Sequence, residues 1–386
     1  MSPVHPLSPL PALPVRLARL EAFVFRCPIA TPVRTSFGVM RERPAVFIRA
    51  EDDGGAVGWG ETWCNFPACG AEHRGRLLDT LVAPLAIDRA FASPAALFTE
   101  LTRQTAVLAI QSGEPGPIAQ VIAGVDLAVW DLCARRAGQP LWQLLGGAGD
   151  DIAVYASGIN PERPADTVAA ELGNGHRAFK LKVGFGEERD LANVRAIRDR
   201  LGEDGRFMLD ANQAWKLDTA IRMAGLLEPF AIGWLEEPLR ADRPVDEWQQ
   251  LRAATSIPLA AGENLLGEAA FAAAIDGGTL AVVQPDSAKW GGISGVWPVL
   301  ERIRAAGRVY CPHFLGAGIG LLASAHLLAA AGGNGMLEID VNPNPLRTAL
   351  SPALATIDDG RVRLGRAPGI GTQVDPHAIR ALCAGA

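Results

Sequence analysis

Seven ionisable groups recur through the C-terminal two thirds of this chain, each 23 to 28 residues after the last: the pair Lys180 and Lys182, then Asp210, Glu236, Glu263, Asp286, His313 and Glu338. Asp210, Glu236 and Glu263 come in succession with no Cys or His among them. All-oxygen ligation of this kind suits a hard divalent cation that keeps room for water and substrate, which is Mg²⁺. The alternative is that these carboxylates merely pair with lysines. Lys180 and Lys182 share a strand face, because side chains alternate with period two. A lysine pressed against a second cation in a low-dielectric mouth has its pKa lowered and becomes a usable base. His313 follows Asp286 by one interval, and an aspartate so placed can fix a histidine's tautomer and stabilise its imidazolium. A lysine on one side, a His–Asp pair on the other and a hard metal between them suit abstraction of a proton next to a carboxylate.

The elements that must position these groups are short apolar β-rich runs at 152–157, 177–183, 206–210, 231–236, 257–263, 280–286, 308–313 and 336–340. Helical stretches lie between them, such as Glu187–Leu201 with Leu191, Val194, Ile197 and Leu201 on one stripe. Eight strand–helix units close a (β/α)₈ barrel, whose strand C-termini converge on one mouth. An open doubly wound sheet would usually show a glycine-rich turn after its first strand, and 158–176 has no GxGxxG. A solenoid would repeat a leucine consensus, and none is present.

Before the barrel, Val15–Arg26 reads as a strand and Cys27–Pro44 as a loop. Ala45–Glu51 and Ala56–Glu61 flank the hairpin turn Asp52-Asp53-Gly54-Gly55. Helices are expected at Arg74–Leu85, Ser93–Gln104 and Pro117–Ala137, the last stopped by Gly138-Gln139-Pro140. This makes a small α+β domain, 15–140, after a proline-rich flexible leader, 1–14.

A chain of 386 residues exceeds one hydrophobic core, and 49% hydrophobic with 20% charged residues describes an ordinary globule. A net charge of −6 without a basic run argues against nucleic acid as a partner. The six cysteines form no CxxC pair and read as reduced, mostly buried thiols. No cationic start precedes an unbroken apolar stretch, and glycines interrupt the long uncharged run Phe314–Gly333, so neither a signal peptide nor a membrane partner is expected. The expected location is cytoplasmic.

The motifs Lys180-Leu181-Lys182, Asp210-Ala211-Asn212, Trp234-Leu235-Glu236-Glu237-Pro238, Gly262-Glu263-Asn264, Pro285-Asp286-Ser287-Ala288-Lys289-Trp290-Gly291-Gly292, Pro312-His313 and Leu337-Glu338 resemble the enolase superfamily, specifically the mandelate racemase/muconate lactonizing enzyme family. The resemblance covers the chain from about residue 15 to its end. It implies an α/β fold: a modified (β/α)₈ TIM barrel, 141–347, with an N-terminal α+β capping domain completed by the tail 348–386. It implies Mg²⁺ on Asp210, Glu236 and Glu263, Lys182 as acid/base, Lys180 positioning substrate and tuning Lys182, and Glu338 hydrogen-bonding the substrate's carboxylate. Asn212 is a further substrate contact. The GEN motif with a His–Asp pair is similar to the mandelate racemase subgroup; other subgroups use a far-side lysine, and Lys289 lies in that region. The stretches from Cys311 to Ala330 and from Glu338 to Arg347 look most like dehydratases of hydroxylated acids, D-tartrate dehydratase among them. The implied activity is dehydration of a small hydroxy or sugar acid to a 2-keto acid, or alternatively racemisation or epimerisation. Specificity would reside in Cys27–Pro44 and Trp63-Cys64-Asn65-Phe66. Partners implied are a small-molecule carboxylic acid and further copies of the chain, as a dimer or octamer.

Overall fold

The computed structural model describes residues 7–34 and 38–385. Its N-terminal sheet contains β1 (Val15–Arg34), β2 (Val39–Asp52), β3 (Val57–Thr62) and β4 (Ala90–Phe91), in the order β3-β2-β1-β4. The turn at 52–55 closes as its residue types predict, with Asp52 Oδ1 accepting from the N–H groups of Gly54 and Ala56 at 3.0 and 2.8 Å.

The loop expected over Cys27–Pro44 is instead the far arm of the β1–β2 hairpin. Cys27 pairs with Arg43, Pro28 with Glu42 and Val33 with Met40; residues 35–37 lie outside the described residues. Pro28, Pro32 and Pro44, with the polar run Arg41-Glu42-Arg43, interrupt the apolar alternation that marks a strand. Charge holds the arm. Arg26 reaches Glu42 and Glu72, and buried Arg43 donates to Asp340 Oδ2 at 2.8 Å and the Pro343 carbonyl at 3.0 Å. The leader also departs from expectation over residues 7–14, while 1–6 fall outside the described residues. Leu7 is buried, Leu10 and Leu13 pack on the core, and Trp297 Nε1 donates to the Ser8 carbonyl at 3.2 Å.

The helix Pro115–Arg136 is long and apolar enough to cross a membrane, yet 89% of its most apolar window is buried inside the protein. It is the spindle between sheet and barrel. Gly60 of β3 lies so close that a Cβ there would stand 2.1 Å from the Gly124 carbonyl oxygen. Asp126 accepts from the N–H groups of Ile293 and Ser294 at 2.7 and 3.0 Å, and Asp131 from those of Trp59 and Ile370 at 2.8 and 2.7 Å. One helix thus satisfies four backbone donors, from three segments, that would otherwise be buried unpaired.

The barrel strands are β5 (Asp151–Ile159), β6 (Ala178–Lys182), β7 (Arg206–Asp210), β8 (Leu235–Glu236), β9 (Leu259–Ala261), β10 (Val282–Val283), β11 (Val309–Tyr310) and β12 (Met336–Asp340). They pair in parallel in the order β11-β10-β9-β8-β7-β6-β5-β12. Across the remaining seam, Met336 N–H donates to Cys311 Sγ at 3.4 Å. The tail adds β13 (Arg361–Arg363) antiparallel to β5 before its last helix, Pro376–Ala384, packs against β1.

Glu61, at the end of β3, joins the two layers. Its carboxylate accepts from the N–H groups of Ala317 and Gly320 at 2.6 and 2.8 Å, at the start of the helix Gly318–Ala331. Burial pushes its carboxyl up to about 7, against the pull of those donors. Between pH 4.5 and 7 the folded chain therefore holds a proton that the unfolded chain has released, so this group's contribution to stability falls as pH rises through that window. Asp126, pushed up to about 7 by burial, acts with the same sign. Urea unfolding from pH 5 to 8 should show falling stability, and Glu61→Gln should remove about 1–3 kcal/mol of that change. An unaltered slope in the variant would exclude Glu61 as its source.

Candidate active site

The register of the ladder delivers the charged groups to one end. Lys182 lies opposite Asp210, and Asp210 opposite Glu236. Past β9 the chain turns through Gly262 at φ 152°, where a Cβ would stand 2.6 Å from the Gln284 backbone. That close approach aims Glu263 at the same mouth. Asn212 and Glu237, at φ 41° and 38°, turn sharply in the same way after β7 and β8.

A small, partly open cavity of about 50 Å³ sits at this mouth, lined among others by Lys182, Asp210, Asn212, Glu263, His313 and Glu338, with Trp63 and Phe66 from the N-terminal layer. Lys180, Glu236 and Asp286 stand behind these: Lys180 bonds Glu338, Asp286 bonds His313, and Glu236 is reached through Lys180. A larger hollow of about 700 Å³ opens at the opposite end of the strands, around Asp151, Arg206 and Met336. Barrel enzymes place their chemistry at the C-terminal mouth, and the convergent ionisable groups are there.

His313 Nδ1 lies 2.7 Å from Asp286 Oδ2, and Nε2 meets Glu263 Oε2. Burial alone would lower the imidazole's pKa, but Glu263, Glu338 and Asp286 outweigh it and hold it well above the ordinary histidine range. Asp286 is itself fixed, accepting from the N–H groups of Ala288 and Lys289 at 2.8 and 3.1 Å. Lys182 and His313 lie across the ring from each other, with β7, β8, β9 and β10 along one arc and β5 and β12 along the other.

Lys180 is itself engaged by two carboxylates. Its Nζ bonds Glu236 Oε1 at 2.5 Å and Glu338 Oε1 at 2.8 Å, and lies 5.4 Å from the Tyr155 ring centre. Burial would lower its pKa, but the two carboxylates reverse this and hold it well above the usual lysine range. Its charge is compensated locally. Glu338 also accepts from Ser157 Oγ at 2.5 Å and from Phe314 N–H at 3.0 Å. Burial would raise its carboxyl, but Lys180 and His313 keep it low, so in this arrangement both oxygens act as acceptors.

The three carboxylates nominated for a metal differ in their partners. Asp210 accepts from Asn212 N–H at 2.8 Å and Nδ2 at 2.9 Å. Glu236 Oε2 accepts from Gln284 Nε2 at 2.6 Å and Trp234 Nε1 at 3.1 Å, and Glu263 Oε1 from Asn264 Nδ2 at 2.8 Å. Among the described residues, no three His, Cys, Asp or Glu side chains form a ready-made metal cage. The donor chemistry nevertheless fits a hard cation. Burial raises the pKa of Asp210 and pushes Glu236 up to about 7; nearby carboxylates, Glu263 for the one and Asp210 for the other, add to this. Carboxylates strained in this way are relieved by a divalent ion.

Sequence patterning passed over several groups that shape this site. Gln284 and Ser157 carry no charge and so leave no periodic signal, although each bonds a nominated residue. Glu237 was visible only as the second acid of its motif. It is buried and receives Asn264 Nδ2 at 2.9 and 3.0 Å, and burial, with Glu263 adding, holds its carboxyl well above the usual range.

Residues 19–146 match the family described as mandelate racemase/muconate lactonizing enzyme, N-terminal domain, and residues 164–378 match enolase C-terminal domain-like. The chain is 28% identical to D-galactarolactone cycloisomerase of Agrobacterium fabrum over 90% of this chain and 94% of that one. It is 31% identical to D-galactonate dehydratase of Klebsiella pneumoniae (73% and 74% covered) and 38% identical to L-talarate/galactarate dehydratase of Salmonella typhimurium (52% of each). Its structure superposes on that of a mandelate racemase/muconate lactonizing enzyme from Bordetella bronchiseptica RB50 with a TM-score of 0.92 and 57% identity, covering 96% of this chain and 100% of that one. A racemase from Streptomyces coelicolor, solved with bound magnesium, superposes with a TM-score of 0.85 at 27% identity, covering 95% and 99%. The chain is an enzyme-fold member of the enolase superfamily, and it belongs to the mandelate racemase/muconate lactonizing enzyme family.

Proposed function

We propose that this protein removes the proton α to the carboxylate of a small hydroxy acid and expels the β-hydroxyl, giving an enol that tautomerises to a 2-keto acid. The observation that carries this reading is the pairing of Lys182 with the Asp286–His313 dyad across one cavity. Dehydratases among the relatives support it. In this mechanism Lys182, neutral, accepts the α-proton, which the substrate's configuration must present on the lysine face. Asp286 holds Nδ1–H of His313, leaving Nε2–H to protonate the departing hydroxyl. Asp210, Glu236 and Glu263 would hold Mg²⁺, which offsets the second negative charge growing on the substrate carboxylate. Were Glu263 engaged by that ion, His313 Nε2 would be released from that carboxylate toward the substrate. Lys180 fixes Glu236 and Glu338, and Asn212 contributes to substrate binding.

Incubation with a panel of acid sugars and Mg²⁺, followed by detection of 2-keto product, tests the reading. Solvent deuterium entering the α-carbon without elimination would select a racemase or epimerase instead. Because His313 acts as an acid that Asp286 helps to keep protonated, kcat should fall once pH rises through its pKa. Asp286→Asn removes one of the supports and should move this limb of the kcat profile to lower pH. A limb that stays in place would detach Asp286 from the acid.

A further inference from the structure

Cys27 and Cys383 meet where the tail returns to the N-terminal layer, and the mechanism above uses neither. Cys27 lies on β1 and is fully buried, while Cys383 is half-buried in the last helix, Pro376–Ala384. Phe25 and Cys27 share one side of β1, because strand side chains alternate. Arg380 and Cys383 are three residues apart and share one side of the helix. The Arg380 guanidinium lies 5.5 Å from the centre of the Phe25 ring, so the same pair of faces sets Cys383 against Cys27. The two thiols stand within hydrogen-bonding reach of each other. Cys27 belongs to the core cluster with Phe25 and Ile379, and Cys383 packs against it.

Cys27 is also the root of the far arm of the β1–β2 hairpin. It lies opposite Arg43 in the ladder, and the ladder is interrupted between Pro28 and Val33. Arg43 donates to Asp340 Oδ2 at the end of β12, two residues past Glu338. Asp340 Oδ1 accepts from Asn342 Nδ2 at 2.7 Å, and the same Nδ2 donates at 2.8 Å to the carbonyl of Gly158 in the cavity wall. A constraint placed on Cys27 therefore acts at the base of the arm, beside the ion pair that fastens it to the barrel.

We propose that Cys27 and Cys383 are a redox pair, which a hydroperoxide converts to a disulfide that staples the tail to the root of the hairpin arm and stiffens the arm. Cys383, the accessible member, attacks one peroxide oxygen as its thiolate. The O–O bond breaks, leaving a sulfenic acid on Cys383 and a hydroxide that takes up the thiol's proton as water. The Cys27 sulfur then attacks the Cys383 sulfur and displaces hydroxide, which leaves with the Cys27 proton as a second water. Two electrons pass from the sulfurs to the peroxide, and a dithiol reductant returns them. Burial and the neighbouring thiol push Cys27 up to about 12, so thiolate is scarce there at neutral pH and closure is the slow step.

The test is hydrogen peroxide on the purified full chain, followed by alkylation of the remaining thiols and peptide mapping without reduction. A peptide pair joined through Cys27 and Cys383, freed by dithiothreitol, is expected. The joined protein should melt about 5 °C higher than the reduced protein. Amides of segments 27–34 and 39–44 should exchange hydrogen about 10-fold more slowly. Cys383→Ser, a change at a half-buried position, should keep the Tm of the reduced wild type and lose all three responses to peroxide. Cys69→Ser, at an exposed position, should retain them. Sulfenic or sulfinic acid on Cys383 with no cross-link, or peroxide joining other cysteines instead, would overturn the pair. A Cys27–Cys383 link that left exchange in the arm unchanged would overturn its action there.

Discussion

Lys182→Ala should lower kcat by about 10³-fold and abolish exchange of the substrate's α-proton, whereas His313→Asn should suppress product to a similar degree and leave that exchange measurable. The two variants separate because the groups stand on strands parted by β7–β10 one way round the ring and by β5 and β12 the other, and act at different moments. Lys182 opens the reaction, so its loss removes every later event. His313 is needed only when the hydroxyl departs, so without it the enediolate can return its proton and take one from solvent. The measurement is proton NMR in deuterium oxide with product followed in parallel. Elimination that persists in Lys182→Ala, or exchange lost equally in both variants, would remove the lysine from its role as base. Circular dichroism guards against misfolding, because Lys182 and His313 are both buried.

How much of this was legible in the sequence depended on whether a residue repeated. Seven of the eight strands carry charge at or near their ends, so a period of 23 to 28 residues revealed the barrel and its mouth together. The helix Glu187–Leu201 was readable to the residue because its apolar stripe is uninterrupted. Where pairing depends on a distant partner, the signal vanished. The paired segments 27–34 and 39–44 are held by Arg43 on Asp340, 297 residues away, and their prolines disguise them locally. The electrostatics of Lys180 eluded reading for the same reason. A lysine two residues away is visible in sequence, but the two carboxylates that hold its own proton come from β8 and β12. Lys289 was visible as a residue, but its place 3.4 Å from Glu263 Oε2 and 4.8 Å from the centre of the Trp63 ring arises only from folding.

The second large effect concerns the carboxylate whose partners are most fully engaged. Glu236→Gln should weaken Mg²⁺ binding by more than about 100-fold, beyond the loss usual for an outer-shell change. The replacement keeps the shape and an oxygen for Gln284 Nε2 and Trp234 Nε1, but it removes charge and turns an NH₂ toward Lys180 Nζ, which now lies 2.5 Å from an acceptor. Two facing donors should also cost the metal-free protein about 1–3 kcal/mol. A thermal-shift titration separates these effects: the variant should start from a lower Tm and gain less from Mg²⁺, whereas the wild type gains about 2.7 kcal/mol at one hundred times its Kd. Trp234→Phe and Gln284→Met supply the gradation. Each removes one donor that orients Glu236 while sparing its charge, so each should cost about 10- to 100-fold in Mg²⁺ affinity. If Mg²⁺ raised the Tm of Glu236→Gln as much as that of the wild type, Glu236 would serve only as the counter-ion of Lys180. The ion would then have to be held by Asp210 and Glu263 with water, because these two line the cavity while Glu236 stands behind it.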